Sequence, residues 1–334
     1  MSHIDYKSFI EDNYYIKSKF GELVPFLLND VQGTYYRTLL DDYPDLVGIR
    51  EIDLKGRQFG MSSFIAAMFA TDFIFSSLGE IPLTDGDIYS HKDKETAAHF
   101  ARVNMFLDSY LLHDQGGSYL DPNHRKELPR LRKAFLKVDN ESGLLIAKNT
   151  TQIQTATAGA KTSGRGSTKL NLLWSEPAFY PNTSILSAEN LMTGAEEQVP
   201  TGFGKIFRES TGNLMADYFA LEYRRAKDGL SDFKARFHAW FSHKAYTMQP
   251  EAGWTPPAYY DRLIATGLAT VGQCYWHFKK TRGLTDKKRL REYPTYDYEA
   301  FLYGGQPFFD ADALLYYTNH VLVPTKEVMY VSAL

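Results

Sequence analysis

The chain has 334 residues, of which 44% are hydrophobic, so it can bury a sizeable core without disulfides or a structural metal. Its single cysteine, Cys274, excludes an internal disulfide and fits a reducing compartment, and the net charge of −3 argues against a tight, static DNA-binding domain. The N-terminus lacks an apolar signal-peptide core, and the longest apolar stretch, near 65–75, is interrupted by Thr71 and Asp72, so no membrane partner is expected.

Strands alternate with helices along the first two thirds of the chain. In chain order, the pattern predicts helices over 6–43 interrupted at Gly21, Pro25 and Gly33, a strand within 47–54 and a buried helix over 62–75. A short strand at 87–90, an amphipathic helix through Phe100, Val103 and Leu107, and strands at 144–147, 152–156 and 170–174 follow. A helix at 213–227 and an irregular second subdomain at 250–307 complete the series. The alternation over 45–230 predicts an α/β sheet covered on both faces.

The segment 55–63 (KGRQFGMSS) follows a strand and opens a helix, which is where a phosphate-binding loop is expected. Against the pattern G-x-x-x-x-G-K-[ST], Gly60 and Ser62 are retained, whereas Lys55 replaces the first glycine and Met61 replaces the lysine. Such a loop needs inward backbone N–H groups, a helix N-terminus and one cation near the phosphates, so a lysine from the front of the loop can serve. An ordinary strand–turn–helix is the alternative for this motif alone.

This front-lysine loop, K-x-R-Q-x-G-x-S, resembles the variant P-loop (Walker A) of phage large terminases. Upstream, residues 24–32 (VPFLLNDVQ) resemble the adenine-recognition segment of that family, with Gln32 as its glutamine. Downstream, 164–168 (GRGST) and 170–176 (LNLLWSE) are similar to the stretch that ends in Walker B. Further matches are 209–213 (ESTGN) to the coupling motif, 237–241 (FHAWF) to the F-x-x-W segment, and 304–310 (GGQPFFD) to the segment before the nuclease domain.

The resemblance covers roughly residues 20–310 and implies an ASCE-type, RecA-like P-loop NTPase fold. That fold is a central, mostly parallel sheet flanked by helices, with a small C-terminal lid or linker subdomain. The expected divisions are an N-terminal helical arm with the adenine segment (1–44), the ATPase core (45–245) and the lid (246–334). Because only residues 311–334 follow Asp310, the nuclease domain is expected to be absent, and no nuclease activity is expected.

The resemblance implies ATP and Mg²⁺ as ligands. The expected ATP-binding residues are Gln32, Lys55, Gly56, Arg57, Gln58, Gly60, Met61, Ser62 and Ser63. Lys55 is expected to hold the phosphates, Arg57 the loop or the γ-phosphate, and Glu176 the attacking water as general base. Arg165, in the flexible GAKTSGRGS segment, is expected to act in a neighbouring subunit as an arginine finger. The alternatives are an exposed lysine, a surface salt bridge, a strand-end glutamate and a solvated or DNA-contacting arginine.

Ser62 and Ser175 are the implied Mg²⁺ residues. Ser175 stands where many ATPases have the Mg²⁺-holding aspartate, and a neutral hydroxyl acting through water predicts a looser metal site. Ser210 and Thr211 are expected to sense the γ-phosphate and couple it to motion, with helix capping as the alternative. A surface glutamine is the alternative for Gln32.

The implied function is an ATP-hydrolysing motor that translocates double-stranded DNA into a viral procapsid. Its implied partners are double-stranded DNA, the portal protein, the small terminase subunit and further copies of the chain in a ring on the portal. The implied location is the host bacterial cytoplasm, with transient docking at the procapsid portal. Two alternatives are a helicase-like DNA translocase and a non-hydrolysing, degenerate P-loop subunit for DNA binding or assembly, which Met61 and Ser175 favour.

Overall fold

The computed structural model describes residues 4–159, 168–181, 183 and 187–302. The strands are β1 Tyr15–Lys17, β2 Leu23–Pro25, β3 Arg50–Lys55, β4 Gly86–Ser90, β5 Leu136–Asp139, β6 Leu144–Ala147, β7 Gln152–Thr157, β8 Asn171–Ser175, β9 Lys205–Ser210 and β10 Lys234–His238. The helices are α1 Tyr6–Asn13, α2 Asp30–Asp42, α3 Met61–Ser77, α4 Asp93–Asp114, α5 Leu128–Phe135, α6 Ala188–Glu196, α7 Tyr218–Lys227, α8 Ala258–Ala265, α9 Val271–Thr281 and α10 Asp286–Glu292.

Eight of these strands form the central sheet in the order β10-β3-β9-β8-β4-β7-β6-β5, and β1 and β2 form a separate two-stranded sheet. The strands from β10 to β7 are parallel, and β6 and β5 extend the sheet in antiparallel fashion. Every residue of β4, β8 and β9 is buried, as expected for parallel strands covered by helices on both faces. The predicted α/β class, with a central and mostly parallel sheet flanked by helices, is confirmed.

Helix α3 runs through the centre of the largest hydrophobic cluster and is buried around most of its circumference. It carries one buried charge, Asp72, which is neutralised by Lys205 Nζ at 2.5 Å. Asn171 Nδ2 also donates to Asp72 at 2.8 Å, and the Tyr6 hydroxyl donates to its other oxygen. The buried helix predicted over 62–75 is therefore confirmed. None of the helices in the described ranges is long and apolar enough to cross a membrane.

The N-terminal segment differs from the prediction of interrupted helices over 6–43. Strands β1 and β2 form an antiparallel hairpin between α1 and α2, with Gly21 at a φ of 84° in its turn. Gly33 lies inside α2 and does not interrupt it, because a capping box between Asn29 and Gln32 has already started the helix. The helix predicted over 213–227 begins only at Tyr218, after the Asp217 cap.

Residues 250–302, which lie in the region predicted to be irregular, include the helices α8, α9 and α10. Thr270 and Thr285 cap α9 and α10, so short polar signals start helices within a glycine- and proline-rich stretch. Aromatic side chains join this region to the core, with the Tyr246 and Trp276 rings stacked at 4.1 Å. Tyr260 and Leu263 of α8 and Cys274 of α9 belong to the same hydrophobic cluster as the apolar residues of α3, whereas Ala300 and Phe301 belong to a separate cluster with α7. The division into arm, core and lid remains a prediction.

Candidate active site

Three neighbouring strands, β3, β9 and β8, bring their carboxyl ends together at one edge of the sheet. Leu54 of β3 pairs with Ser210 of β9, and Ser175 of β8 pairs with Glu209 of β9. Lys55 and Glu176, at the ends of β3 and β8, therefore meet although 121 positions separate them. This edge is where ligand sites gather in α/β sheets.

Lys55 lies between two carboxylates. Its Nζ is 2.8 Å from Glu176 Oε1 and 3.1 Å from Glu209 Oε2, and the residue is only 5% exposed. Burial opposes the charge, but Glu176 and Glu209 outweigh it and raise the pKa of Lys55. The lysine is therefore a buried, permanently charged cation at the start of the loop.

Glu176 is fixed at both of its oxygens. Oε1 accepts from Lys55, and Oε2 accepts from the Thr211 N–H at 2.9 Å, the Thr211 hydroxyl at 3.0 Å and the Ser210 hydroxyl at 3.2 Å. Its backbone is left-handed, with a φ of 56°, which turns the chain sharply out of β8. Burial would raise the pKa of Glu176, but Lys55 and the Thr211 hydrogen bonds lower it, so the carboxylate is anionic at neutral pH.

Glu209 is a site residue to which sequence reasoning assigned no role. It is fully buried, and its Oε1 accepts from the Ser62 and Ser175 hydroxyls, each at 2.7 Å. Burial raises the pKa of Glu209; the nearby Lys55 opposes this shift, and the Glu176 charge adds to it. The two hydroxyls expected to hold Mg²⁺ thus converge on one carboxylate oxygen.

The available signal for Glu209 was its position directly before Ser210 and Thr211 in the coupling motif. It was missed because β9, KIFRES, has too many charged residues to read as a buried strand. Across the described residues, no cluster of three or more His, Cys, Asp or Glu side chains could hold a metal on its own. Mg²⁺ suits such a site, because it is commonly bound by few protein oxygens together with water and substrate phosphates.

The front of the loop is anchored to the C-terminal part of the chain. The Gly56 N–H donates to the His238 carbonyl at 3.1 Å, and the Arg57 N–H donates to the Glu292 carbonyl at 2.9 Å. The Arg57 guanidinium also donates to the Glu292 carboxylate at 2.8 Å, while its side chain remains 60% exposed. Arg57 is thus found in the surface ion pair that the sequence left open as the alternative, and its phosphate role remains a prediction.

The back of the loop is held by Gln32. Its Nε2 donates to the Gly60 carbonyl at 2.7 Å, and its Oε1 accepts from the Asn29 N–H at 2.9 Å. Gly60 has a φ of 76°, a conformation that favours glycine, and a Cβ there would lie 2.7 Å from Gln32 Nε2 and displace the amide. Gln32 is buried with both amide atoms engaged, and its role in reading adenine remains a prediction.

The other predicted loop residues have different environments. Met61 is 1% exposed within the core, so only its backbone is available to a nucleotide. Phe59, the remaining residue of the loop, packs on the rings of His243 and Tyr246. Gln58 is exposed and left-handed, with a φ of 62°, and the Ser63 N–H donates to the Gly60 carbonyl at 3.1 Å. Arg165 and the segment 304–310 lie outside the described residues.

Comparisons with known proteins agree with this fold. No protein-family model and no curated protein matches the chain. The crystal structure of the HK97 bacteriophage large terminase matches with a TM-score of 0.53 at 12% identity, covering 93% of this chain and 57% of that one. Two structures of the Thermus phage P74-26 large terminase ATPase domain, one a mutant, match at 15% identity with TM-scores of 0.46 and 0.44. They cover 77% and 75% of this chain and 91% and 88% of theirs.

The chain spans 57% of the length of the HK97 protein. The TM-score of 0.53 establishes a shared fold, and an identity of 12% does not extend the likeness to a shared activity. The fold expected from the sequence resemblance is therefore confirmed: over most of its length, the chain has the fold of the HK97 bacteriophage large terminase.

Proposed function

We propose that this chain is the ATPase motor of a phage large terminase, which hydrolyses ATP to move double-stranded DNA into a procapsid. One observation carries the proposal: Lys55 of the loop, Glu176 of the strand end and Thr211 of the coupling motif form one hydrogen-bonded group at a single sheet edge. A phosphate-binding cation, a general base and a sensor are the parts that phosphoanhydride hydrolysis requires.

The proposed cycle begins with an exchange of partners at Lys55. In the structure, its ammonium donates to Glu176 Oε1. The oxygens of an arriving triphosphate compete for that ammonium, and Lys55 turns toward them. Glu176 Oε1 is then released to accept a hydrogen bond from the attacking water, while Thr211 continues to hold Oε2. The loop residues Gly56, Arg57, Gln58, Gly60, Met61 and Ser63 and the amide of Gln32 surround the nucleotide.

Mg²⁺ bound with the nucleotide would neutralise charge on the β- and γ-phosphates. Ser62, at the start of α3, and Ser175, at the end of β8, are the hydroxyls that would hold it. Both hydroxyls donate to Glu209 Oε1, so hard oxygen donors converge at the site, as Mg²⁺ prefers.

Coupling to DNA movement passes through Ser210, Thr211 and Gly212. The first two contact Glu176, and a Cβ on Gly212 would lie 2.3 Å from the Ala300 carbonyl oxygen. The C-terminal region is therefore in close contact with the coupling motif, so a displacement of the motif moves the segment around Ala300. In this proposal the chain works as a ring on the portal, with the small terminase subunit, in the host bacterial cytoplasm.

Steady-state ATPase rates with double-stranded DNA test the proposal. Lys55→Ala and Glu176→Gln should each lower the rate by about 100-fold or more, because one removes the phosphate cation and the other the base. Lys169→Ala, which breaks the buried 3.0 Å pair with Asp87 away from the site, is the matched control and should retain turnover. No turnover in the wild-type chain would favour the non-hydrolysing subunit, and strand separation on forked DNA would favour the helicase-like translocase.

Arg165 calls for a complementation experiment. If it enters a neighbouring subunit's site, Arg165→Ala and Glu176→Gln should each be inactive alone and recover ATPase activity when mixed, because a mixed ring contains sites with both groups intact. No recovery in rings shown to be mixed would contradict action in trans.

A further inference from the structure

We infer that Glu209 supplies the carboxylate for the Mg²⁺ of the nucleotide site, in place of the aspartate that Ser175 replaces. This inference rests on the proposed ATP hydrolysis and assigns its metal-binding charge to a strand outside the Walker B motif.

Position 175 carries a neutral side chain where many ATPases have an aspartate. Mg²⁺ prefers oxygen ligands and is usually held through one or two carboxylates together with phosphates and water. Ser175 offers a neutral hydroxyl, and Ser62 offers another. With these two groups alone, the protein would contribute no negative charge to the cation.

Glu209 lies beside Ser175 on the neighbouring strand. β9 lies between β3 and β8, and Glu209 of β9 is the register partner of Ser175. The carboxylate missing from β8 is therefore present one strand closer to the loop. Glu209 Oε1 receives the hydroxyls of Ser62 and Ser175 at 2.7 Å each, so it already lies between the two residues expected to face the metal.

The positive charge nearest to Glu209 is that of Lys55. Lys55 contacts both Glu209 and Glu176, so two carboxylates share one direct cation. Arg102 of α4 acts on Glu209 through its charge, but its guanidinium is bonded to His99 at 3.0 Å. When Lys55 turns to the phosphates, Glu209 loses its nearest positive charge in a fully buried position. A divalent cation would restore the balance.

Glu176 and Glu209 differ in exposure and in hydrogen-bond partners. Glu176 has a side chain that is 22% exposed, and Thr211 and Ser210 hold one of its oxygens. Glu209 is fully buried and faces the hydroxyls at the start of α3 and the end of β8. The partly exposed carboxylate of Glu176 is the one that can reach water, and the buried carboxylate of Glu209 is suited to the metal.

Calorimetry with AMP-PNP, a non-hydrolysable ATP analogue, measured in Mg²⁺ and in EDTA, tests the inference. In the wild-type chain Mg²⁺ should tighten binding. Glu209→Gln should reduce that tightening by about 10- to 100-fold and leave the affinity in EDTA unchanged or higher. Glu51→Gln, another fully buried carboxylate at the opposite end of β3, is the matched control and should keep the wild-type response.

A swap variant makes the test independent of how well Glu209→Gln folds. Ser175→Asp combined with Glu209→Ser moves the carboxylate back to β8 at constant charge, and it should restore the Mg²⁺ effect in a chain with a normal melting temperature. A full Mg²⁺ effect in Glu209→Gln, equal losses with and without Mg²⁺, or a folded swap variant without the effect would each overturn the inference. If the wild-type chain binds no nucleotide in either buffer, the proposed function itself fails, and this inference fails with it.

Discussion

Lys55 is the residue on which the electrostatics of the site depend, since its removal leaves the partly exposed Glu176 and the buried Glu209 without their shared cation. Breaking a buried ion pair from one side typically costs about 3–5 kcal/mol, because the remaining charge is uncompensated. The same lysine is proposed to bind the phosphates, so its substitution should affect stability as well as turnover.

We therefore expect Lys55→Met to lower the free energy of unfolding of the nucleotide-free chain by about 3–5 kcal/mol, measured by urea denaturation. Adding Glu209→Gln should recover part of the loss, because one uncompensated carboxylate is then removed. Lys94→Met, at an exposed position of α4, is the control and should change stability little. A Lys55→Met chain as stable as the wild type would show that the two carboxylates do not depend on this cation.

Substitution of Gln32 can distinguish a role in holding the loop from a role in reading adenine. Because both amide atoms are bonded to the loop and to the α2 cap, Gln32→Ala should weaken ATP and GTP binding alike and lower stability by about 1–2 kcal/mol. Nucleotide titrations and thermal melts measure these effects, with exposed Gln115→Ala as the control. A loss confined to ATP would instead support the adenine-reading role.

At the scale of elements, β9 shows why some strands escape sequence analysis. Lys205, Arg208 and Glu209 interrupt its apolar pattern, yet each is buried and paired. Lys205 pairs with Asp72 of α3, and Arg208 with Glu196 and Glu222. Alternation patterns treat such residues as exposed, and their partners lie on other elements of the fold. β9 can be recognised as a buried strand only once the partners of its charged residues are known.

The pair that joins β9 to α3 gives a prediction at this scale. Lys205→Met should destabilise the chain by about 3–5 kcal/mol, because Asp72 is then buried without a cation, and adding Asp72→Asn should return much of that loss. A double-mutant cycle in urea measures the coupling. Arg130→Met, in an exposed pair with Glu127 at 3.2 Å, is the control and should cost about 0–1 kcal/mol. Additive effects at Lys205 and Asp72 would contradict the coupling.

At the scale of the whole molecule, two buried histidines predict acid sensitivity. Burial lowers the pKa of His99 and of His277 to about 3 each, and the charges of Arg102 and Arg289 add to the respective shifts. An unfolded chain takes up these protons below about pH 6.5, whereas the folded chain does so only near pH 3. Each histidine therefore contributes stability above pH 6.5 that is lost as the pH falls toward 3.

We expect His277→Gln to flatten the acid side of the stability profile by about 1.4 kcal/mol per pH unit within that window. Glutamine retains an acceptor for the Tyr260 hydroxyl, which lies 2.8 Å from His277 Nδ1. Urea unfolding at a series of pH values measures the slope, and His113→Gln, at an exposed position of α4, is the control. Parallel profiles for His277→Gln and the wild type would show that His277 does not take up its proton on unfolding.

The sequence by itself determined the α/β class, the loop at 55–63 and the choice of Lys55 and Glu176. The class and the loop depend on local signals, namely apolar strands and a glycine before a helix, whereas the resemblance to phage large terminases singled out Lys55 and Glu176. Both residues lie at the ends of parallel strands and therefore at the same edge of the sheet, and the strand order β3-β9-β8 brings them into contact.

Only the tertiary structure decided that Glu209 receives both serine hydroxyls, that Gln32 holds Gly60, and that Arg57 pairs with Glu292. These contacts depend on the register of β8 against β9 and on partners up to 235 positions away in the chain. A local pattern carries no information about register or about distant partners, since both arise from the packing of the whole chain.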